Sequence, residues 1–115
     1  MANPTNVFRA MATGEPYPIK AFITLGNNTL LSYANQHQIH KGLMNQDLIV
    51  AHELFMTPTA MLADYVLPGD AFTERNHLAD SWSWGTRLTL SQKVVDAPEQ
   101  ASSTCLLYTS PSPRD

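Results

Sequence analysis

The sequence predicts an α/β fold: a partial, doubly wound, mainly parallel sheet with flanking helices, incomplete as a stand-alone domain. Three observations carry this prediction. Short β-rich apolar runs, IKAFITL at 19–25, DLIVA at 47–51 and YVL at 65–67, alternate with segments of helical spacing. The runs lack clean polar alternation, as strands covered on both faces do. The connections between them are brief, so each strand–helix–strand step reads as a right-handed crossover unit. Three strands and about three helices cannot cover both faces of such a sheet, so the rest of it is expected to lie outside this chain.

The elements follow in order. Asn3 is a good N-cap, Pro4 suits the first helical position, and Val7, Phe8 and Met11 share a face, which predicts a helix over 3–13 ended by Gly14. Each proline in Gly14-Glu15-Pro16-Tyr17-Pro18 biases its predecessor away from the α region, so this stretch is extended and leads into the first strand, 19–25. Gly26-Asn27-Asn28-Thr29 punctuates it. A second helix is predicted over 34–45, with Asn35 near its start and Ile39, Leu43 and Met44 at helical spacing. Gly42 weakens that helix by about 1 kcal/mol relative to Ala. After the second strand, 47–51, Thr57 as N-cap and Pro58 at the first position predict a third helix that buries Met61, Leu62 and Tyr65. Residues 65–67 form a very short third strand closed by Pro68-Gly69, and residues 70–103 read as loops apart from a strand over 86–95. There is no internal repeat.

Composition narrows the function classes. With 43% hydrophobic and 15% charged residues among 115, the chain is globular rather than disordered. A formal net charge of −3 offers no general attraction to a phosphate backbone or an anionic membrane, so nucleic acid is not an expected partner. No apolar run approaches the roughly 20 residues that span a bilayer, and MANPTNVFRA lacks the basic-then-apolar order of a signal peptide. The lone Cys105 excludes an internal disulfide framework and any cysteine-based zinc or iron–sulfur site from this chain alone, and leaves the compartment open. It falls in a tail of different character, TCLLYTSPSPRD at 104–115. The last ten residues look like a translated sequencing adaptor, so 104–115 is expected to be non-native or disordered and 1–103 to be the natural segment.

Chemistry is expected at two strand ends. Gly26-Asn27-Asn28 follows the first strand, where open α/β sheets bind ligands. Glycine permits close backbone approach, and two asparagine amides offer donors and acceptors to a base, ribose or phosphate. A plain turn with left-handed asparagines accounts for the same residues. His52-Glu53 ends the second strand, where an acid accepts hydrogen bonds from a ribose hydroxyl or base N–H; a solvated loop pair is the other reading. No metalloprotease motif follows His52-Glu53, because Met56 stands where a second histidine is required. His37 and His40 read as surface residues, and Glu74-Arg75 as a structural ion pair fixing a loop. No Gly-rich phosphate loop, nucleophile elbow or Ser/His/Asp order is present, so no catalytic and no metal-ligating residue is assigned.

Several phrases are specific in their order: GEPYPIKA at 14–21, Gly26-Asn27-Asn28, ELFMTPTA at 53–60, ADYVLP at 63–68 and Phe72-Thr73-Glu74-Arg75. They resemble the large molybdopterin oxidoreductases of the dimethyl-sulfoxide-reductase family over nearly all of 1–103, most specifically from Thr57 to Glu74. The resemblance implies an α/β domain that binds one of two molybdopterin guanine dinucleotides, which together hold molybdenum or tungsten. Gly26-Asn27-Asn28 sits where that family commonly has Gly-x-Asn-Pro, with Thr29 replacing the proline, so Asn28 is implied to touch the cofactor. Glu53, one methylene longer than the family's usual aspartate, is implied to hold the ribose or guanine end. Thr57, Thr59 and Asp64 match the family pattern and are read as helix capping and packing. The glycine usual soon after the Glu74 position is absent, replaced by Asn76-His77-Leu78.

The intact enzymes often carry a [4Fe–4S] cluster and a cysteine, selenocysteine, serine or aspartate on the metal; no ligand for either is assigned in this chain, and Cys105 lies beyond the resemblance. The expectation is therefore part of a molybdenum or tungsten bis-pterin-dependent oxidoreductase, inactive alone. Oxygen-atom transfer or two-electron oxidation is the reaction class of the whole enzyme. Its expected partners are the pterin dinucleotide, the remainder of the catalytic subunit and an electron-transfer subunit. The competing expectation is a stand-alone α/β module that takes an unrelated nucleotide at Asn28 and Glu53 without redox chemistry.

Overall fold

The computed structural model describes residues 3–80 and 88–104. The chain divides into two compact units, 1–67 and 68–115. The first unit opens with α1, Pro4–Thr13. Asn3 Oδ1 accepts the Thr5 N–H at 3.0 Å, and Gly14, at φ 81°, donates its N–H to the Ala10 carbonyl at 2.7 Å. Both ends of the helix are thus satisfied as the sequence predicts. Strand β1, Ala21–Leu25, begins two residues later than expected, although the Lys20 carbonyl already accepts the N–H groups of Asp47 and Leu48. A four-residue helix, α2, Thr29–Ser32, follows where only a turn was expected. Helix α3, Gln36–Met44, starts behind Asn35, which is left-handed at φ 63° and accepts the Gln38 N–H on its side-chain oxygen. His37 and His40 lie exposed on it, as expected.

Strand β2, Leu48–Glu53, runs two residues beyond DLIVA and pairs with β1 in parallel, from Ala21↔Leu48 to Leu25↔His52. With β3, Tyr65–Pro68, the sheet order is β1-β2-β3. Phe8 and Met11 from α1, Ile39 and Leu43 from α3, and Ile49 from β2 form the core, with Phe22 packed against it. The helices therefore cover the Phe22 and Thr24 face of β1, while Ile23 on the opposite face is 63% exposed. A parallel sheet needs cover on both faces, and among the described residues the helices cover one, leaving Ile23 open on the other. The α/β class and its partial character are both present.

The third predicted helix is corrected to a single 3-10 turn, Ala60–Leu62. Thr57 Oγ1 accepts the Ala60 N–H at 3.2 Å, the bond expected of a capping threonine, two residues ahead of the turn's own N-cap position at Thr59. Met61 and Tyr65, expected to be buried, are 70% and 63% exposed. The cause lies at Ala63, which is extended at φ −80°, ψ 145°. Asp64 then pairs with Ile49, and Tyr65 enters β3, where a two-residue period replaces the helical one.

In the second unit, β4, His77–Asp80, pairs antiparallel with β5, Leu88–Ser91. β4 falls in a stretch read as loop, and β5 is shorter than the expected strand over 86–95, whose residues 86 and 87 lie outside the described residues. Glu74 and Arg75 are structural, but not as a pair. Glu74 Oε2 accepts the Ala71 N–H at 2.8 Å to close a turn, and Arg75 Nη1 pairs with the largely buried Asp70 at 2.8 Å. Among the described residues no helix is long and apolar enough to cross a membrane. Residues 105–115, and with them Cys105, lie outside the described residues.

Candidate functional site

The parallel register of β1 and β2 brings the two predicted segments together at one edge. Leu25 stands beside His52, and the Gly26 N–H donates to the His52 carbonyl at 2.8 Å, one rung beyond the strand. Gly26 is left-handed at φ 58°, a conformation that costs a side-chain-bearing residue about 1–2 kcal/mol. A Cβ there would meet no atom within 4 Å, so glycine serves the turn and leaves the backbone open to approach.

Asn27 and Asn28 behave differently. The Asn27 carbonyl accepts from the buried Thr24 hydroxyl at 3.2 Å and from the Thr29 N–H at 2.9 Å, and its side-chain Nδ2 donates to Thr29 Oγ1 at 3.2 Å. Asn27 thus fixes the loop. The Asn28 carbonyl starts α2 by accepting the N–H groups of Leu31 and Ser32. Its side chain does not cap that helix. Instead Asn28 Oδ1 accepts the Thr59 hydroxyl at 2.9 Å, and Thr59 Oγ1 accepts the Leu30 N–H at 2.9 Å. Asn28 Nδ2 makes no hydrogen bond among the described residues.

His52 and Glu53 point to opposite faces of β2. His52 is buried, 3% exposed, and serves the edge through its carbonyl rather than as a presented side chain. Glu53 is half-buried, and its Oε1 is shielded from solvent without a hydrogen-bond donor. Such an atom is uncommon in native structures and calls for an explanation, as Gln46 Oε1, Arg75 Nε and His77 Nδ1 also do here. Sequence reasoning passed over Thr59, which it treated as capping and packing; Thr57 does the capping, and Thr59 reaches 31 residues back to Asn28. Nothing local in the sequence signals that bond. Among the described residues no group of three His, Cys, Asp or Glu side chains could hold a metal ion.

The edge therefore offers a backbone opening at Gly26, an amide donor on Asn28 and an unpartnered acceptor on Glu53, all after parallel strands. A family model for molybdopterin oxidoreductases matches residues 2–104. The chain belongs to that family. Acetylene hydratase of Syntrophotalea acetylenica is 54% identical over 101 residues, covering 88% of this chain and 14% of that protein. F420-dependent formate dehydrogenase 1 subunit alpha of Methanococcus maripaludis is 30% identical over 83 residues, covering 72% and 12%. Trimethylamine-N-oxide reductase of Haemophilus influenzae is 28% identical over 100 residues, covering 86% and 12%. Among solved structures, acetylene hydratase from Pelobacter acetylenicus superposes with a TM-score of 0.85 at 52% identity over 91% of this chain and 14% of that one. The chain thus spans about one seventh of the length of the acetylene hydratase it matches. The family implies a molybdenum–pterin cofactor.

Proposed function

We propose that this chain is part of a molybdenum or tungsten bis-pterin enzyme and holds the guanine dinucleotide end of one pterin at the edge formed by Gly26, Asn27, Asn28, His52 and Glu53. The observation that carries the reading is Glu53 Oε1, a buried acceptor without a donor, in the residue after His52, whose carbonyl binds the Gly26 N–H. Ribose hydroxyls and guanine N–H groups are donors of the kind it lacks. The residues present fit the group: Glu53 would accept, Asn28 Nδ2 would donate, and Gly26 would let the ligand lie against the backbone. Asn27 and His52 would shape the loop. Residues 1–103 are read as one part of the cofactor-binding domain.

When bound, the cofactor supplies the metal-centred chemistry, and the residues of this chain bind and orient it. The test is nucleotide content in the intact enzyme. Glu53→Ala is expected to lower the guanine nucleotide released per protein by about tenfold at limiting cofactor, the worth of one hydrogen bond to a charged group. Unchanged content would remove Glu53 from the site.

One observation favours a narrower reading of the whole enzyme's reaction. Identity to acetylene hydratase, 54%, stands well above the 30% and 28% shared with the formate dehydrogenase and the N-oxide reductase. On that basis the intact enzyme adds water to a carbon–carbon triple bond, a redox-neutral reaction, and needs no electron-transfer subunit for turnover. Acetaldehyde formed from acetylene by the intact enzyme would support this; dye-linked oxidation of a substrate with no hydration would return it to the oxidoreductase class, with an electron-transfer partner and a [4Fe–4S] cluster outside this chain.

A further inference from the structure

We infer that Thr59 is a positioning residue that fixes the amide of Asn28 with its Nδ2 outward, so that the ligand atom received there is a hydrogen-bond acceptor oxygen. The inference rests on the reading of this edge as a dinucleotide site. It starts from the hydrogen-bond inventory of a hydroxyl, which has one proton and two lone pairs. Thr59 is 0% exposed, so water cannot serve it. One lone pair takes the Leu30 N–H, and the proton goes to Asn28 Oδ1. With the amide turned over, Oγ1 would face two donors and its proton would be stranded in the interior, which native structures avoid. Thr59 therefore decides which end of the Asn28 amide faces outward.

The start of α2 explains why a residue so distant is needed. An asparagine at a helix N-cap ordinarily folds its side-chain oxygen back onto the second or third N–H of the helix. Asn28 occupies the N-cap position of α2 without making that bond, and the second N–H, from Leu30, goes to Thr59 instead. A cap supplied from another loop leaves the Asn28 side chain held away from its own helix. A threonine serving only to satisfy a helix end would need the Leu30 bond alone. The second bond, to Oδ1, leaves Nδ2 as the group offered to a ligand, and a donor there suits a phosphate or ribose oxygen rather than an N–H.

The test uses the intact enzyme and follows the rate at which guanine nucleotide is lost on dialysis, together with activity. Asn28→Ala, Asn28→Asp and Thr59→Val are each expected to speed that loss by about tenfold, the lower end of what removing an orienting partner costs. Asn28→Asp is informative because a carboxylate still accepts from Thr59 but has no donor to offer. Thr59→Ser keeps the hydroxyl and is expected to retain nucleotide at the wild-type rate. Thr59→Val combined with Asn28→Ala is expected to be no worse than Asn28→Ala alone, since Thr59 acts through that amide. Additive loss in the double variant, or wild-type retention in Asn28→Asp, overturns the assignment. If Asn28→Ala itself retains nucleotide, the dinucleotide reading of Asn28 fails, whatever Thr59 does. Should Thr59→Val yield no folded enzyme, retention in Thr59→Ser with loss in Asn28→Asp supports the role, and the reverse in either variant overturns it.

Discussion

Asp64 and Ile49 exchange two hydrogen bonds: the Asp64 carboxylate accepts the Ile49 N–H at 2.7 Å, and the Asp64 N–H donates to the Ile49 carbonyl at 2.9 Å. The pair ties the end of the 3-10 turn to the second residue of β2, whose side chain is in the core. Asp64→Ala leaves the Ile49 N–H without its acceptor, which costs about 1–3 kcal/mol. Faster amide exchange at Ile49 in the intact enzyme is the expected readout. Asp64→Asn keeps an acceptor oxygen and should lose less than Asp64→Ala; equal losses would show that charge, not geometry, holds the strand.

Gly42 is where α3 approaches α1. A Cβ built there lies 3.1 Å from Met11 Cβ and 3.3 Å from the Phe8 carbonyl oxygen. Helix propensity alone favours Gly42→Ala by about 1 kcal/mol. Overpacking against a helix backbone and the root of a buried side chain costs about 1–3 kcal/mol and cannot be relieved by a rotamer change. Gly42→Ala is expected to destabilise by about 1 kcal/mol in net terms, and Gly42→Val to abolish soluble expression. A higher melting temperature for Gly42→Ala would show that α1 moves freely.

Asp96 accepts a hydrogen bond from Lys93 at 2.6 Å, and that bond, with the charge of Lys93, holds its carboxyl below the usual carboxylate range. A carboxylate with a lowered folded-state pKa contributes above its unfolded pKa and loses the contribution as pH falls through the folded value. Asp96 is almost fully exposed, so the effect belongs to a titration curve and not to stability. Lys93→Met should move the Asp96 midpoint up toward the ordinary value in an NMR titration. An unchanged midpoint would mean that the ion pair is not populated in solution.

The isolated chain should behave poorly. Among the described residues β1 and β3 are the edge strands of a three-stranded sheet, and Phe55, Met56 and Met61 are 79%, 65% and 70% exposed. Open edges and exposed apolar groups promote association. The 115-residue chain is expected to bind an apolar dye and melt broadly, whereas the intact enzyme should do neither. Cooperative unfolding of the isolated chain, with binding of an ordinary nucleotide, would favour the stand-alone module.

What could be read from the residues was local. Asn3-Pro4 and Gly14 mark both ends of α1, and DLIVA marks most of β2, because caps and short apolar runs act over a few positions. α2 escaped because four residues have no periodicity and its first bonds come from Asn28 and Thr59 instead of a capping side chain. The third helix was over-read because Thr57-Pro58 gives a true start signal, while its stop is set by the pairing of Asp64 with Ile49, 15 residues away. β4 depends on β5, a partner no local pattern reveals. At the candidate site, Gly26-Asn27-Asn28 and His52-Glu53 were recognisable by their position after strands, but the division of labour within each pair was not. Which asparagine is engaged internally depends on Thr29 and Thr59, and the unpartnered state of Glu53 is visible only in three dimensions.

The hydroxyl that joins Thr59 to Asn28 also sets an order of events. The loop after β1 is not finished when β1 is made, since its last two hydrogen bonds wait for residue 59, one crossover and one strand later in the chain. A nascent segment that stops at β2 has the strands but not the edge. On the proposed reading of the site, ligand capture follows folding of this region, and a ligand bound there stabilises only the completed form, by mass action. On that reading the 26–32 segment is expected to be cut by a protease sooner in the cofactor-free enzyme than in the loaded one.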